Sequence, residues 1–392
     1  MKTHQSELIF LDNEVIKKYR DNKINRMSSL SNELYSLKKF SCSGKNRYSP
    51  LIKKLSENSY SIERYDFSLG NTKTISEKKV RRLLFTLPMS EVLSQLEEIE
   101  KKLKELKIEH RDINPGNLLF SEREKTIKLI DFYWAKTDSL KVGTPEGLNG
   151  VYGVDDLKAF SRIRTELNLV DKKVLKQVKN LKTKTSDFGK KYYDGSAKRR
   201  GRTYHIVDIP YLKSIKFHRN IGNEYGDMIR NLSNPPRTVI DVGCAGGYYL
   251  FNLMRQFRLN KAIGFEADPN MFDFLNILRS IFSLDEFILK GKVNVDTMFE
   301  SVDLVICMNI HMWLVKQLKE GADQVIVNLI KNSKELFFQT AGKESNGMYK
   351  VVELTSKEVV QDYLRRLGND KEVTYIKTTS QHGGKRHLFK IE

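Results

Sequence analysis

The segment TVIDVGCAGGYYLFNL, residues 238–253, constrains the fold of this chain more than any other. Its apolar run predicts a buried strand that ends at Asp241, and the glycines that follow lead into a predicted helix. Glycine lets the backbone pass close to a ligand, and the first turn of a helix offers free amide groups. The segment therefore predicts a ligand-binding turn between a strand and a helix, although dinucleotide-binding folds share such a turn.

Apolar runs continue to alternate with helical patterns after this turn. The runs KAIGFEADP and SVDLVICMNIHMW predict strands, and the pattern MFDFLNILRSIF between them predicts a helix. Such alternation predicts a parallel α/β sheet. One strand ends at Glu266, where an acid can hold ribose hydroxyls. The other leads to Asn309 and His311 at the carboxyl edge, where sheets of this kind bind ligands.

Together, DVGCAGG, GFEADP and VDLVICMNIHMW resemble the class I S-adenosylmethionine-dependent methyltransferases over residues 205–392. The resemblance implies a Rossmann-like α/β domain that binds S-adenosylmethionine. It assigns these residues to the cofactor: Asp241, Gly243, Gly246 and Glu266. His311 lies where the family approaches the methyl group and is a catalytic candidate, although a histidine at the end of an apolar strand is more often packed and hydrogen-bonded. The acid that would bind the adenine ring stays open among Asp285, Glu286 and Asp296.

A second group of chemistry-bearing residues lies in the first half of the chain, in HRDINPGNLLF and TIKLIDFYWA. Asp112 precedes Asn117 by five residues in a loop after a predicted helix, and Asp131 ends an apolar strand. Phosphoryl transfer needs an acid to orient the attacking hydroxyl and oxygen ligands that hold Mg²⁺ against the nucleotide phosphates. These three residues can supply that set.

With His110 and Arg111, these two strings resemble the catalytic loop and the metal-binding motif of the protein-kinase-like superfamily, over residues 5–170. The resemblance implies an α+β bilobal domain that binds ATP and Mg²⁺. Its assignments are catalysis for Asp112, metal binding for Asn117 and Asp131, and nucleotide binding for Lys17 with its ion-pair partner Glu33. It also implies that an acid, Asp155 or Asp156, supports the catalytic loop.

The first half departs from the protein-kinase pattern in ways that bear on its substrate. No GxGxxG precedes Lys17, Tyr133 replaces the last glycine of the metal-binding motif, and Asn114 stands where protein kinases usually carry lysine. The string NPGN is closer to the small-molecule and sugar kinases of the superfamily. A glycan or metabolite hydroxyl is therefore the expected acceptor, and a degenerate pseudokinase is the alternative.

The charge of the chain predicts an anionic partner. Lys and Arg total 68 against 49 Asp and Glu, which gives a net charge of +19. Twelve Lys and Arg face three Asp within residues 171–202, so a large share of the excess lies there. That segment is either a solvated helix and linker or an anion-binding element. Nucleic acid, a phosphorylated glycan and peripheral contact with a membrane surface all suit this charge.

The same sequence favours a cytoplasmic location. Its three cysteines are widely spaced, which favours a reducing compartment and argues against a structural zinc site. The first twenty residues lack the continuous apolar segment of a signal peptide. We therefore expect no transmembrane segment and no disulfide framework.

Taken together, the motifs predict a kinase-like domain over 1–170, a basic linker or helix over 171–204, and a methyltransferase domain over 205–392. The predicted activity is bifunctional: phosphorylation of a hydroxyl, on a saccharide end, followed by methylation of the new phosphate. Arg219, Lys385 and Arg386 could hold that phosphate. The combination resembles the O-antigen chain-terminating kinase-methyltransferases, with the domain order reversed. The alternatives are an RNA methyltransferase with a regulatory or pseudokinase N-terminal domain, and a non-enzymatic scaffold.

Overall fold

The computed structural model describes residues 6–11, 14–19, 26–41, 47–50, 52–56, 59–138, 151–191, 209–212, 223–341, 356–381 and 384–392. Backbone contacts divide the chain into two units, Met1–Gln177 and Val178–Glu392. No helix within the described ranges combines the length and the apolar character needed to cross a membrane.

The first unit contains a β-rich part followed by a mainly helical part. Its strands are β1 (Ser6–Phe10), β2 (Glu14–Tyr19), β3 (Ile52–Ser56), β4 (Ser59–Glu63), β5 (Phe67–Ser68), β6 (Ile108–Glu109), β7 (Leu118–Ser121), β8 (Thr126–Leu129) and β9 (Lys136–Thr137). Its helices are α1 (Arg26–Ser41), α2 (Glu77–Thr86), α3 (Met89–Glu105) and α4 (Asp156–Lys191), the last of which continues past the boundary between the units.

The first sheet is antiparallel and has the strand order β1-β2-β4-β3. Its register places Lys17 of β2 opposite Tyr60 of β4. Residues directly opposite each other share a face of the sheet, so these two side chains point the same way. The sequence of residues 7–17 predicts two short strands about a turn, and that of residues 28–40 predicts a helix; these elements are present as β1, β2 and α1.

Helix α3 is amphipathic and anchors the helical part of the first unit. Its residues Val92, Leu96 and Ile99 recur at helical spacing and are fully buried. The sequence pattern predicts this helix with Ser90 as its cap, but the N-cap is Pro88 and Ser90 lies in the first turn. Proline suits this boundary because the first helical amides need no intrahelical acceptor.

The second unit is built around one mixed sheet. Its strands are β10 (Thr238–Val242), β11 (Lys261–Phe265), β12 (Phe287–Lys290), β13 (Val302–Met308), β14 (Ser333–Ala341), β15 (Val373–Gln381) and β16 (Gly384–Ile391). Its helices are α5 (Glu224–Arg230), α6 (Tyr248–Gln256), α7 (Pro269–Phe282), α8 (His311–Leu318), α9 (Gly321–Lys331) and α10 (Lys357–Gly368).

The strand order of this sheet is β12-β11-β10-β13-β14-β16-β15. Strands β10 to β14 run parallel, and β16 pairs antiparallel with both β14 and β15. The five parallel strands therefore follow the 3-2-1-4-5 order of Rossmann-like folds, and the predicted parallel α/β sheet is confirmed. Ligands of such sheets bind where the order reverses, which here is the carboxyl edge of β10 and β13.

Candidate active sites

In the first unit, three predicted residues meet around one ammonium group. Lys17 Nζ lies 3.1 Å from Glu33 Oε1 and 2.7 Å from Asp131 Oδ1. The Tyr60 hydroxyl donates to the same Glu33 oxygen at 2.7 Å. Strand β2, helix α1 and the segment after β8 thus bring together the predicted nucleotide-binding pair and one of the two predicted metal ligands.

The electrostatics of this cluster follow from burial and charge. Burial opposes the charge on Lys17, but the carboxylates of Asp131 and Glu33 hold its pKa well above the usual value. Burial raises the pKa of Glu33 to about 7, against the opposing effects of Lys17 and the Tyr60 hydrogen bond. Burial also acts to raise the pKa of Asp131, but Lys17 outweighs it and the net shift is downward. Glu33 is therefore the member of the cluster that can take up a proton near neutral pH.

The loop that carries Asp112 is held by side-chain amides. Asn114 Nδ2 donates to Asp112 Oδ1 at 2.9 Å, and Asn117 Nδ2 donates to Asp112 Oδ2 at 3.0 Å. One amide therefore reaches each carboxylate oxygen and sets its orientation. Burial raises the pKa of Asp112, while His110 and the two amides act to lower it. The sequence marks Asn114 only as a departure from the kinase pattern, and this contact gives it a positioning role.

Asp156, not Asp155, supports the backbone of this loop. Its carboxylate accepts hydrogen bonds from the backbone amides of His110 at 2.6 Å and Arg111 at 2.8 Å. Asp155 instead accepts from Leu157 and Lys158 at the start of α4. The structure thus selects one of the two acids that the sequence left open.

The remaining oxygen donors suit a magnesium ion. The backbone amide of Ile130 donates to the carbonyl of Asn117 at 3.0 Å, so Asn117 lies next to the strand end that carries Asp131. Magnesium prefers oxygen ligands and uses one or two carboxylates together with substrate phosphates. The Asp131 carboxylate and Asn117 Oδ1 are donors of this type and would hold the ion if it binds here.

In the second unit, the backbone of the turn after β10 comes close to neighbouring residues, and glycines make this possible. Gly243 has a φ of +73°, and a Cβ there would lie 2.5 Å from Cδ1 of Ile310. Gly247 has a φ of +78° and precedes the first residue of α6, while Gly246 is buried in the same turn. The turn after β13 therefore packs directly on the predicted cofactor turn, as the reversal of strand order requires.

Two acids stand at this edge, and one of them has an unpaired atom. Asp241 is buried, and the described part of the chain supplies no hydrogen-bond partner for its Oδ2. Burial and the charge of Glu266 raise the pKa of Asp241 to about 8. Glu266 accepts from the amides of Ala245 and Asp268, each at 2.7 Å. An orphaned buried carboxylate oxygen beside a glycine turn fits a cofactor that brings hydroxyl or ammonium donors, as S-adenosylmethionine does.

The topology narrows the choice of an adenine-binding acid. Asp285 and Glu286 precede β12 and lie at its amino end. Asp296 follows β12 and lies on the carboxyl side, where such sheets bind ligands. Of the three acids that could bind the adenine ring, Asp296 alone lies at the carboxyl edge of the sheet, where the cofactor would bind.

His311, the predicted catalytic residue, is the first residue of α8, and its ring is buried and hydrogen-bonded. The ring is 2% exposed, its Nε2 lies 3.0 Å from the Tyr363 hydroxyl, and that hydroxyl donates to Asp323 at 2.6 Å. Its Nδ1 lies 3.5 Å from Thr340 Oγ1. Burial lowers the pKa of His311 to about 4. This neutral, enclosed ring links α8 to α9 and α10, so its surroundings favour a structural role over that of a base.

The three predicted phosphate contacts do not form one group. Lys385 and Arg386 are successive residues of β16 and therefore point to opposite faces; Lys385 is exposed, whereas Arg386 is 4% exposed. Arg219 lies outside the described residues. The alternation of the strand separates Lys385 from Arg386, so the phosphate contacts of these residues stay predictions, and only one of the two can face a given side of the sheet.

Glu224, Gln339 and Thr379 form a polar cluster that sequence reasoning missed. Gln339 Nε2 donates to Glu224 Oε1 at 3.3 Å, and Thr379 Oγ1 donates to the same atom at 3.2 Å. Burial raises the pKa of Glu224, while Gln339, Thr379 and the charge of Arg386 act to lower it. These residues come from α5, β14 and β15, and no short motif connects them. Only the paired strands bring them to the carboxyl edge.

Comparisons with known proteins find similarity at the level of structure alone. No protein-family model matches the sequence, and no curated protein matches it. Solved structures that are similar include a chain of the Pnkp1/Rnl/Hen1 RNA repair complex, at 17% identity and a TM-score of 0.35, with 45% of this chain and 42% of that one covered. The bifunctional kinase-methyltransferase WbdD is similar at 15% identity and a TM-score of 0.38, with 48% and 43% covered.

A third similar structure is magnesium protoporphyrin IX methyltransferase (ChlM) from Synechocystis PCC 6803, at 14% identity and a TM-score of 0.34, with 43% of this chain and 80% of that one covered. The chain spans less than half the length of the RNA-repair and WbdD chains that it matches. Because all three scores lie below 0.5, the function of this chain has to be inferred from its own residues and strand order.

Proposed function

We propose that this protein is a bifunctional kinase and methyltransferase, which phosphorylates a hydroxyl on a saccharide end and then methylates the new phosphate. The observation that carries the proposal is the assembly of Lys17, Glu33 and Asp131 around one ammonium group, next to the loop that holds Asp112. Three separate segments supply these charges, and each matches its role in the kinase-like superfamily.

The phosphoryl transfer would use few groups. Asp112 is oriented by Asn114 and Asn117. Its carboxylate would accept a hydrogen bond from the hydroxyl of the acceptor and orient the hydroxyl oxygen towards the γ-phosphate of ATP. Lys17 would pair with the nucleotide phosphates while Glu33 holds its side chain in place. Asn117 and Asp131 would hold Mg²⁺, which neutralises phosphate charge when bound.

The methyl transfer is supported by the second sheet and its carboxyl edge. Class I methyltransferases, which this half resembles, combine a Rossmann-like sheet with a final antiparallel strand, as β16 does here. Asp241, the turn at Gly243–Gly247 and Glu266 would bind S-adenosylmethionine. A phosphate monoester is already anionic near neutral pH, so the transfer needs orientation of the phosphate oxygen more than it needs a base. This agrees with the enclosed, neutral state of His311.

The test is to incubate the purified full chain with Mg²⁺, ATP, S-adenosylmethionine and a panel of short oligosaccharides, and to follow the masses of the products. Phosphate added without S-adenosylmethionine, and methyl added only after phosphate, supports the proposal. Asp112→Asn should abolish both additions, whereas Asp138→Asn, which removes an exposed carboxylate of the same unit, should change neither.

Two results would contradict the scheme. Methylation of the oligosaccharide that is undiminished in Asp112→Asn would show that the phosphate is not the methyl acceptor. Methylation of RNA by a protein with no ATP turnover would instead favour the RNA methyltransferase alternative.

A further inference from the structure

A chain of side-chain hydrogen bonds ends next to the predicted cofactor turn. Asn309 Nδ2 donates to Gln339 Oε1 at 2.6 Å, and Gln339 Nε2 donates to Glu224 Oε1 at 3.3 Å. Gln339 is fully buried and Glu224 is 1% exposed. Asn309 directly precedes Ile310, the residue that packs on Gly243, so this end of the chain of bonds adjoins the cofactor turn.

The carboxylate fixes the direction of this chain of bonds. Glu224 Oε1 accepts from both Gln339 and Thr379, so Gln339 presents its NH₂ group to Glu224 and its oxygen to Asn309. Asn309 must then present its own NH₂ group to Gln339, which leaves its oxygen pointing away. That Oδ1 atom is buried and has no hydrogen-bond partner in the described part of the chain, although the residue as a whole is partly exposed.

A buried acceptor without a partner requires a donor from elsewhere. Leaving such an oxygen unpaired costs free energy, and a ligand that donates an O–H or N–H removes that cost. Asn309 directly follows β13 and has a φ of +60°, a left-handed conformation that asparagine adopts more readily than most residues. It therefore lies at the edge of the sheet where the methyl group would be transferred.

A buried cation shares the same face of the sheet. Arg386 lies directly opposite Thr379 in β15, so these two side chains point the same way. Gln339 of β14 lies opposite Leu388, which is two residues after Arg386 in β16, and therefore points to that face as well. The charges of Glu224, Asp241 and Arg386 all act on the pKa of the buried Tyr249, which lies in α6 directly after the predicted cofactor turn.

We propose that Asn309, Gln339, Glu224 and Arg386 form the acceptor subsite of the methyltransferase half, and that it takes a phosphate monoester carrying a neighbouring hydroxyl. The guanidinium of Arg386 contacts the phosphate, and the hydroxyl donates to Asn309 Oδ1. Glu224 is a positioning residue, which acts through Gln339 by setting the direction of the amides. This inference rests on the proposed function and names the part of the acceptor that is recognised.

The experiment compares two simple probes that differ in hydroxyl groups. Glycerol 3-phosphate and n-propyl phosphate are titrated by calorimetry into the full chain saturated with S-adenosylhomocysteine. Because one hydrogen bond to an otherwise unpaired buried atom is worth about one factor of ten, the wild type should bind glycerol 3-phosphate about tenfold more tightly. Arg386→Gln should weaken the binding of both probes, since it removes the phosphate contact that they share.

Two variants test the hydroxyl contact independently. Asn309→Gly removes the acceptor oxygen, and glycine tolerates the left-handed backbone. The ratio of the affinities for glycerol 3-phosphate and n-propyl phosphate should therefore fall to about one. Glu224→Gln is isosteric but lets the amides reverse, and it should lower the preference to about threefold or less. The control is Glu335→Gln, which alters another buried glutamate of the same sheet, near the amino end of β14, and should keep the full preference.

The outcomes separate this inference from the function on which it rests. Equal affinity of the wild type for the two probes, or a preference that survives in both variants, overturns the acceptor subsite alone. Binding of S-adenosylhomocysteine with no binding of either probe overturns the phosphate acceptor of the proposed function, and this inference with it.

Discussion

The Tyr60 hydroxyl donates a hydrogen bond of 2.7 Å to Oε1 of Glu33, the atom that also accepts from Lys17 at 3.1 Å. The β2–β4 register sets this contact, because it places Tyr60 directly opposite Lys17. A neutral donor and a cation thus share one carboxylate oxygen. Glu33 must be ionised to hold Lys17, and its pKa of about 7 makes that state sensitive to pH.

Tyr60→Phe should shift the acid limb of the phosphotransferase pH profile to higher pH. Protonation of Glu33 breaks its ion pair with Lys17, so activity should fall as the pH drops through the pKa of Glu33. The hydroxyl of Tyr60 lowers that pKa, and its loss should raise it by about half a unit to one unit. The measurement is kcat/KM for ATP turnover against pH. Tyr152→Phe, which removes a hydrogen bond to Glu166 of the same unit, should leave the limb in place.

The affinity for S-adenosylmethionine should rise with pH while Asp241 titrates. The pKa of Asp241 is raised to about 8, so most of this carboxyl is protonated near neutral pH. A positively charged cofactor favours the ionised form, and its affinity should increase by up to about tenfold per pH unit below that pKa. Calorimetry at several pH values checks this. A slope that persists unchanged in Asp241→Asn would assign the effect to another group.

Gly243→Ala should weaken S-adenosylhomocysteine binding and lower the free energy of unfolding by about 1–3 kcal/mol. Alanine is strained at a φ of +73°, and its methyl group would lie 2.5 Å from Ile310. The matched control is Gly291→Ala, because a Cβ at Gly291 meets no atom within 4 Å and needs no left-handed backbone. Urea unfolding and calorimetry report the two effects. Equal behaviour of the two variants would contradict the packing of the two turns.

Tyr363→Phe should destabilise the protein without slowing methyl transfer. The Tyr363 hydroxyl accepts from His311 Nε2 and donates to Asp323, so its loss leaves a buried ring nitrogen unpaired. We expect a loss of about 1–3 kcal/mol in the free energy of unfolding. Tyr375→Phe removes a hydroxyl whose contact with Thr378 is exposed and should cost far less. A large fall in kcat in the Tyr363 variant at full stability would restore a catalytic role for His311.

Sequence reasoning located the first site far better than the second. Asp112, Asn117 and Asp131 lie in two short strings, and the resemblance of those strings to the kinase-like superfamily implies Lys17 and Glu33 as their partners, so residues that the structure brings together were already paired by the sequence motifs. The side that His311 and Arg386 face depends on how β13, β14 and β16 pair, which no local pattern specifies. Glu224 was missed because only its contacts with β14 and β15 distinguish it from an ordinary helical glutamate.

If a nucleotide binds to Lys17 as proposed, the contact between Lys17 and Asp131 would make that binding an exchange of partners. The protein neutralises both charges internally, with an Nζ–Oδ1 distance of 2.7 Å. A nucleotide that competes with Asp131 for Lys17 would release the half-buried Asp131 carboxylate, which would then attract a cation. Nucleotide and metal would then bind cooperatively, each lowering the cost of opening the same ion pair for the other. A nucleotide without a divalent ion would have to break the ion pair between Lys17 and Asp131 on its own.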